Sequence, residues 1–315
     1  FSRDMAAMPI PLLLMIVTFA AAFADFPPCQ EVHKNGVEVE LNVLSGTRDP
    51  SVVLTASEWT EVCDLMDNCE MRRPCRVMGY TGFRIDGLHD IYGCRDAELK
   101  LASKFFTNIS EEVALHVAEE IIFSDQMDEE SQQCFRSEKN GVPTIVGEPQ
   151  TNCKETPVVG PDSPAPEYSP KSDDGGCFIT EQRHNNCYNY GNDVVTNTFA
   201  QPGRGSGEKW KANTCEDVRA AAERDGLVWH GNDAVPTAQP EEGGHFVALL
   251  IWPKTNFHWI RMDRDLFWSH KPGQTAVRNV DNTGSKITDP SKSDFSPWTQ
   301  FCGYFRTVPS NTTLN

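Results

Sequence analysis

The stretch Gly243–Lys271, GGHFVALLIWPKTNFHWIRMDRDLFWSHK, decides how this chain folds. From His245 to Trp252 it is continuously apolar behind two glycines, the pattern of a strand buried on both faces. Phe257–Met262 and Leu266–His270 flank MDRD and predict a hairpin, and Phe301–Thr307 predicts a closing strand. Upstream, NCYNYGNDVV reads as the opening of a helix at Cys187. Thr214–Asp217 caps a second helix over Val218, Ala221 and Ala222 that ends at Gly226. Two helices followed by several antiparallel strands make an α+β domain with helices packed on the sheet.

The preceding block has its own signals. Thr55-Ala-Ser-Glu58 is a capping box, and Trp59, Val62, Cys63 and Met66 fall on one helical face behind it. Ser110 caps a helix through Glu111 and Glu112, with Val113, Val117 and Ile121 four apart and Ala114, Ala118 and Ile122 beside them. Glu38–Val43 alternates as a half-buried strand does, and Cys75–Ile85 is a second strand candidate. The acidic run DQMDEESQQ after Phe123 lacks the central Gly and regular oxygen alternation of a calcium loop and reads as a solvated helix end.

Composition sets the compartment and the partners. The apolar run from Met5 to Ala24 ends in Ala22-Phe23-Ala24, a signal-peptidase pattern, so residues 1–24 are expected to be upstream residues and a signal peptide. No later segment has the length of a membrane span. Eleven cysteines in an oxidising compartment should pair, and their odd number leaves one over. Asn108-Ile-Ser and Asn311-Thr-Thr are glycosylation sequons. A Pro-, Ser-, Gly- and Asp-rich tether over 158–175 separates an acidic, Cys-rich domain (25–157) from a Trp-rich domain (176–315). The first carries 25 Asp and Glu against 12 Lys and Arg, the second 15 against 14. That field disfavours nucleic acid and anionic membranes and favours cations, basic proteins or a mineral surface, with weak calcium association through scattered carboxylates. No cofactor motif or metal-ligand spacing is present.

Two candidate sites lie in the second block. A thiol at a helix start and a histidine at a strand start resemble papain-like amidases, in which Cys187 would be the nucleophile, His245 its base and His258 the group that orients the base, with His270 competing for that last role. The alternative fate of Cys187 is a disulfide to Cys177 or Cys215. Separately, Trp259 and Trp268 interleave with Arg261 and Lys271 and could form a strip that stacks sugar rings or peptide aromatics, the signature of a carbohydrate-binding module; an aromatic core is the competing reading.

The phrases NCYNYGND, TFAQPGRGSG, GGHFVALLIWPKTNFHWIRMDRDLFWSHKPGQTAVRNVDNTGSKITDP and FCGYF, spanning most of Asn185 to Phe305, resemble the insoluble matrix shell proteins of bivalve molluscs. The resemblance implies a secreted component of the organic matrix of calcified shell. Its implied partners are other matrix proteins or a polysaccharide such as chitin, together with calcium carbonate mineral, and it supplies no catalytic residues.

Overall fold

The computed structural model describes Cys29, residues 35–66, Cys69, Met71, residues 78–124, residues 165–168, Phe178 and residues 181–315. The expected signal segment, the acidic run after Phe123, Cys75, Cys134, Cys153, Cys177 and most of the tether lie outside these residues.

The first block is built on a four-stranded antiparallel sheet in the order β2-β1-β3-β4, from β1 (Val37–Leu41), β2 (Ser51–Leu54), β3 (Phe83–Ile85) and β4 (His89–Ile91). Three helices pack beside it: α1 (Ala56–Met66), α2 (Arg95–Ser103) and α3 (Glu111–Ser124). The capping box forms as its residue types require, with the Thr55 amide donating to Glu58 Oε2 at 2.9 Å and the Glu58 amide donating to Thr55 Oγ1 at 3.3 Å. Ser110 Oγ accepts from the Val113 amide at 3.3 Å. Trp59, Val62 and Met66 are buried, as are Val113, Val117 and Ile121, while Ile122 points out at 41 % exposure.

In the second block, α4 (Cys187–Asn192) and α5 (Cys215–Arg224) precede a five-stranded antiparallel sheet, ordered β5-β9-β6-β7-β8. Its strands are β5 (Val228–Gly231), β6 (His245–Trp252), β7 (Asn256–Met262), β8 (Trp268–His270) and β9 (Gln300–Thr307). Every residue of β6 and of β7 is buried. An antiparallel sheet usually wets one face; here each face has a different cover. Val247, Leu249, Ile251, Phe257, Trp259 and Phe305 pack with Tyr188, Val218, Ala222 and Leu227 of the helical side. Phe246, Ala248, Leu250, Trp252, Ile260, Met262, Trp268 and Tyr304 share one apolar cluster with Val39, Leu41, Trp59, Phe83, Phe105 and Val117 of the first block.

The loop after β1 stitches the blocks. Asp49 Oδ1 accepts from the amides of Val43 and Leu44 at 2.9 and 2.7 Å and bends the chain so that Leu44–Thr47 projects into the second block. There Asn256 Oδ1 accepts from the Ser45 and Gly46 amides at 3.2 and 2.7 Å, while Asn256 Nδ2 donates to Thr47 Oγ1 at 2.8 Å. The Gly46 carbonyl accepts from Asn186 Nδ2 at 2.8 Å and from Gln201 Nε2 at 2.7 Å. A Cβ at Gly46 would stand 2.5 Å from the Phe257 ring, so this close approach admits only glycine. Three residues of the tether are docked as well: the carbonyls of Ala165 and Pro166 accept from Arg264, and the Glu167 carbonyl accepts from Arg261.

Three disulfides join described cysteines: Cys29–Cys63, Cys69–Cys94 and Cys215–Cys302. The last ties the start of α5 to β9 across 87 residues, a long loop whose closure removes considerable unfolded-chain entropy.

Because Gly46 sits in the seam, Gly46→Ala should lower stability by about 1–3 kcal/mol through overpacking against Phe257. Urea unfolding followed by tryptophan fluorescence and far-UV circular dichroism should show one shared transition at a lower midpoint. Separate transitions in the two signals would show that the seam does not couple the blocks.

Candidate functional site

Cys187 opens a helix of only six residues, fixed by a capping box in which Asn186 accepts from the Tyr188 and Asn189 amides and Asn189 returns the bond to the Asn186 amide. The thiol carries no disulfide, Cys215 being bound to Cys302, and it is completely buried. Burial pushes it up to about 11, against the opposing pull of the Ser45 side chain, the Trp259 amide and the charge of Lys271.

His245 is not beside it. Its Nε2 lies 2.7 Å from the Gly191 carbonyl, at the far end of α4, and its Nδ1 has no partner. Since a carbonyl only accepts, Nε2 carries the proton and the ring is neutral. Burial accordingly depresses its pKa to about 3.

The histidine that shares a neighbour with the thiol, Ser45, is His258. Its Nδ1 is 2.5 Å from Ser45 Oγ, and the Ser45 side chain is also among the groups that pull the thiol's pKa down. Its Nε2 is 2.9 Å from His270 Nδ1, and His270 Nε2 is 3.0 Å from the Val280 carbonyl. That carbonyl sets every proton in the chain. His270 donates to it, so His270 Nδ1 accepts from His258 Nε2–H, and His258 Nδ1 accepts from the Ser45 hydroxyl. The hydroxyl in turn accepts from the Gly273 amide at 3.3 Å. Both rings are held neutral by burial, His270 down to about 4 and His258 well below its usual range. The residue that sequence reasoning missed is therefore Ser45, which belongs to no motif and reaches this centre only because the loop after β1 crosses into the second block.

Lys271 is fully buried and points inward rather than to solvent. Its Nζ donates to the carbonyls of Gln182, Asn185 and Gly273 at 2.5, 2.5 and 2.7 Å, one acceptor for each proton of an ammonium group. Burial, against the opposing pull of Cys187 and aided by the charge of Arg84, pushes it down to about 7. The bonds tie the segment leading into α4 to the turn after β8. Arg261 is likewise fully buried between Asp193 and Asp263, each at 3.1 Å, with its guanidinium 4.0 Å from the Tyr190 ring centroid. Burial raises the Asp263 carboxyl to about 6 despite the Arg261 charge.

The expected aromatic strip is core. Trp259 and Trp268 are both 0 % exposed, Trp259 packing against Tyr188 and Phe305 and Trp268 against Tyr304. They lie on opposite faces of the sheet, yet both faces are covered, so neither ring, nor Arg261 or Lys271, reaches a ligand in solution. Among tryptophans, Trp229 is 37 % exposed, with the Arg219 guanidinium 3.6 Å from its ring centroid. Asn108 and Asn311 of the two sequons are exposed. Among the described residues no group of three or more His, Cys, Asp or Glu is placed to hold a metal ion.

Insoluble matrix shell protein 1 of Ruditapes philippinarum is 41 % identical over 129 residues, which cover 41 % of this chain and 82 % of that protein. No family model matches the chain, and no solved structure matches it.

Two measurements follow from the burial. Trp259→Ala should cost about 3–5 kcal/mol in urea unfolding, as expected for a large core ring; a change below 1 kcal/mol would return the residue to the surface. The second concerns His245, whose depressed folded pKa means that the unfolded chain takes up a proton below about 6.5 while the folded chain does not until about pH 3. Stability contributed by neutral His245 is thus full above pH 6.5 and lost as pH falls through that window. Asp49 and Glu98, whose carboxyls burial raises to about 7, act in the opposite direction over much of it, so the comparison must be with His245→Gln. The stability difference between wild type and variant should shrink by a few kcal/mol between pH 6.5 and pH 4. A difference independent of pH would show that His245 titrates normally.

Proposed function

Because the chain belongs to the family of insoluble matrix shell protein 1, we propose that it is a secreted structural and interaction component of the organic matrix of calcified shell. The relative's identity, together with its coverage of most of that protein, carries the reading. Physical features support it. Three disulfides suit an oxidising exterior, and among the described residues no helix is long and apolar enough to cross a membrane. Two sheets with a shared apolar cluster, closed by buried polar groups that are mostly paired, make a durable body for a material that must persist outside cells.

The acidic first block, residues 25–157, is the natural face toward cations, basic matrix proteins or mineral, since its excess of 13 negative charges is concentrated there. Its calcium association is weak and sensitive to salt because scattered carboxylates attract cations without forming a cage. Chitin remains a candidate partner only through surfaces other than the buried Trp259 and Trp268. Glycans at Asn108 and Asn311 would lie on the outside of both blocks.

Retention on matrix tests this directly. Purified protein mixed with the acid-insoluble residue of bivalve shell should sediment with it at physiological salt, in preference to chitin beads or calcite powder without matrix. Recovery of the protein in the supernatant at equal surface load would contradict a matrix role. Isothermal titration of calcium that gave tight, stoichiometric binding unaffected by salt would contradict the diffuse-carboxylate account.

A further inference from the structure

Three successive carbonyls of the tether face one wall of the second block. Arg264 donates through its amide to the Pro166 carbonyl at 2.8 Å and through Nε to the Ala165 carbonyl at 3.0 Å, while Arg261 donates through Nη2 to the Glu167 carbonyl at 3.0 Å. Arg264 also pairs with the Glu167 carboxylate. Ala165 and Pro166 are buried, and Tyr168 packs on a small apolar cluster of Phe178, Tyr190 and Val277. Residues 165–168 lie in no helix or strand, so the wall rather than a regular backbone pattern holds them. A surface that meets main-chain carbonyls, one carboxylate and one aromatic side chain is a peptide-recognition groove, and the tetrapeptide Ala-Pro-Glu-Tyr occupies it.

We infer that this groove is a self-recognition site, which takes residues 165–168 of a second copy of the chain in place of its own by reciprocal exchange in a two-fold dimer. The inference is independent of the proposed matrix role. The occupant follows from what an empty groove would lack. Arg261 is fully buried and held by the second block itself, with Nε on Asp263, Nη1 on Asp193 and Nη2 on the Tyr190 hydroxyl, and the same Nη2 donates to the tether. Withdrawing the tether takes an acceptor from this buried guanidinium, removes the Ala165 and Pro166 carbonyls from Arg264 and uncovers the apolar cluster beneath Tyr168. The same segment of another copy restores each of these contacts, with Glu167 again opposite Arg264.

Chain length permits the exchange and fixes its form. The blocks are joined by the loop after β1 and by their shared apolar cluster, so the docked tether is not what holds them together. Forty residues, 125–164, lead from the end of α3 to Ala165, and nine, 169–177, separate Tyr168 from Phe178. Since Phe178 belongs to the cluster under Tyr168, the shorter stretch sets the reach, which is at most about 35 Å when fully extended. Two grooves within that distance exchange tethers reciprocally, which closes the pair and leaves no open end for further copies. Docking within one chain and docking between two make the same contacts, so concentration decides between them. The monomer prevails in dilute solution, and exchange sets in at concentrations on the order of millimolar.

The test uses the full chain with one charge reversed at a time. Glu167→Arg places like charges in the chain's own groove, and so does Arg264→Glu. Both side chains are partly exposed, so each variant should keep the far-UV circular dichroism of wild type. Mixed at sub-millimolar concentration, the two variants set opposite charges against each other in both grooves of a dimer. Sedimentation equilibrium should give a dissociation constant roughly tenfold lower for the mixture than for either variant alone. A chain carrying both reversals regains its own pair and should sediment as wild type does. A mixture no more dimeric than its components overturns the exchange. A second measurement needs no charge reversal. With p-benzoylphenylalanine in place of Tyr168, an equal mixture of isotopically heavy and light chains irradiated at high concentration should join heavy to light peptides around Tyr190 or Val277. Cross-links to those peptides confined to heavy with heavy and light with light overturn the proposal as well.

Discussion

The five-stranded sheet has two apolar faces, and everything else follows from the need to cover both. One face is covered by α4 and α5; the other lies in the same cluster as β1, β3, α1 and α3. Large rings such as Phe257, Trp259, Trp268 and Phe305 are therefore wholly buried in strands that an antiparallel sheet would ordinarily leave half wet. The same covering explains the polar groups. Once the first block closes over β7, Ser45, His258 and Asn256 lose water together and satisfy one another by short bonds across the seam, while Lys271 is met by three backbone carbonyls of its own block.

Burial also sets the chemistry. The thiol of Cys187 is pushed up and the rings of His258 and His270 are pushed down, and both effects have desolvation as their largest cause. The six residues of α4 add little dipole, so the state of this thiol depends on water access and on Ser45, both controlled by the loop after β1.

Much of the architecture was legible in the sequence because local rules govern it. The continuous apolar run His245–Trp252, the caps at Thr55, Ser110 and Thr214, and the closing strand appear where periodicity and capping chemistry place them. The short strands Ser51–Leu54 and His89–Ile91 carry too few residues for a period, Val228–Gly231 is exposed at a sheet edge, and α2 buries Glu98 against Tyr80, which inverts its apparent polar face. The site failed to read for a different reason. His245 begins the strand, but the antiparallel register puts His258 opposite Leu250, and α4 brings its first residue to β7 and its last turn to His245. Likewise, alternation at Trp259 and Trp268 assigns opposite faces correctly and says nothing of what covers each face. Long-range docking supplies that information, and Ser45, more than 200 residues from His258, has no local signature.

Native-state hydrogen exchange with mass spectrometry, run across sub-denaturing urea, tests the central claim that the two blocks are one cooperative body closed at this seam. The amides of β1 and of β6 should exchange with the same opening free energy and the same urea dependence, because removing either cover exposes the other. An opening that frees β1 at low urea while β6 remains protected would contradict the account, and would show that the five-stranded sheet stands without its second cover.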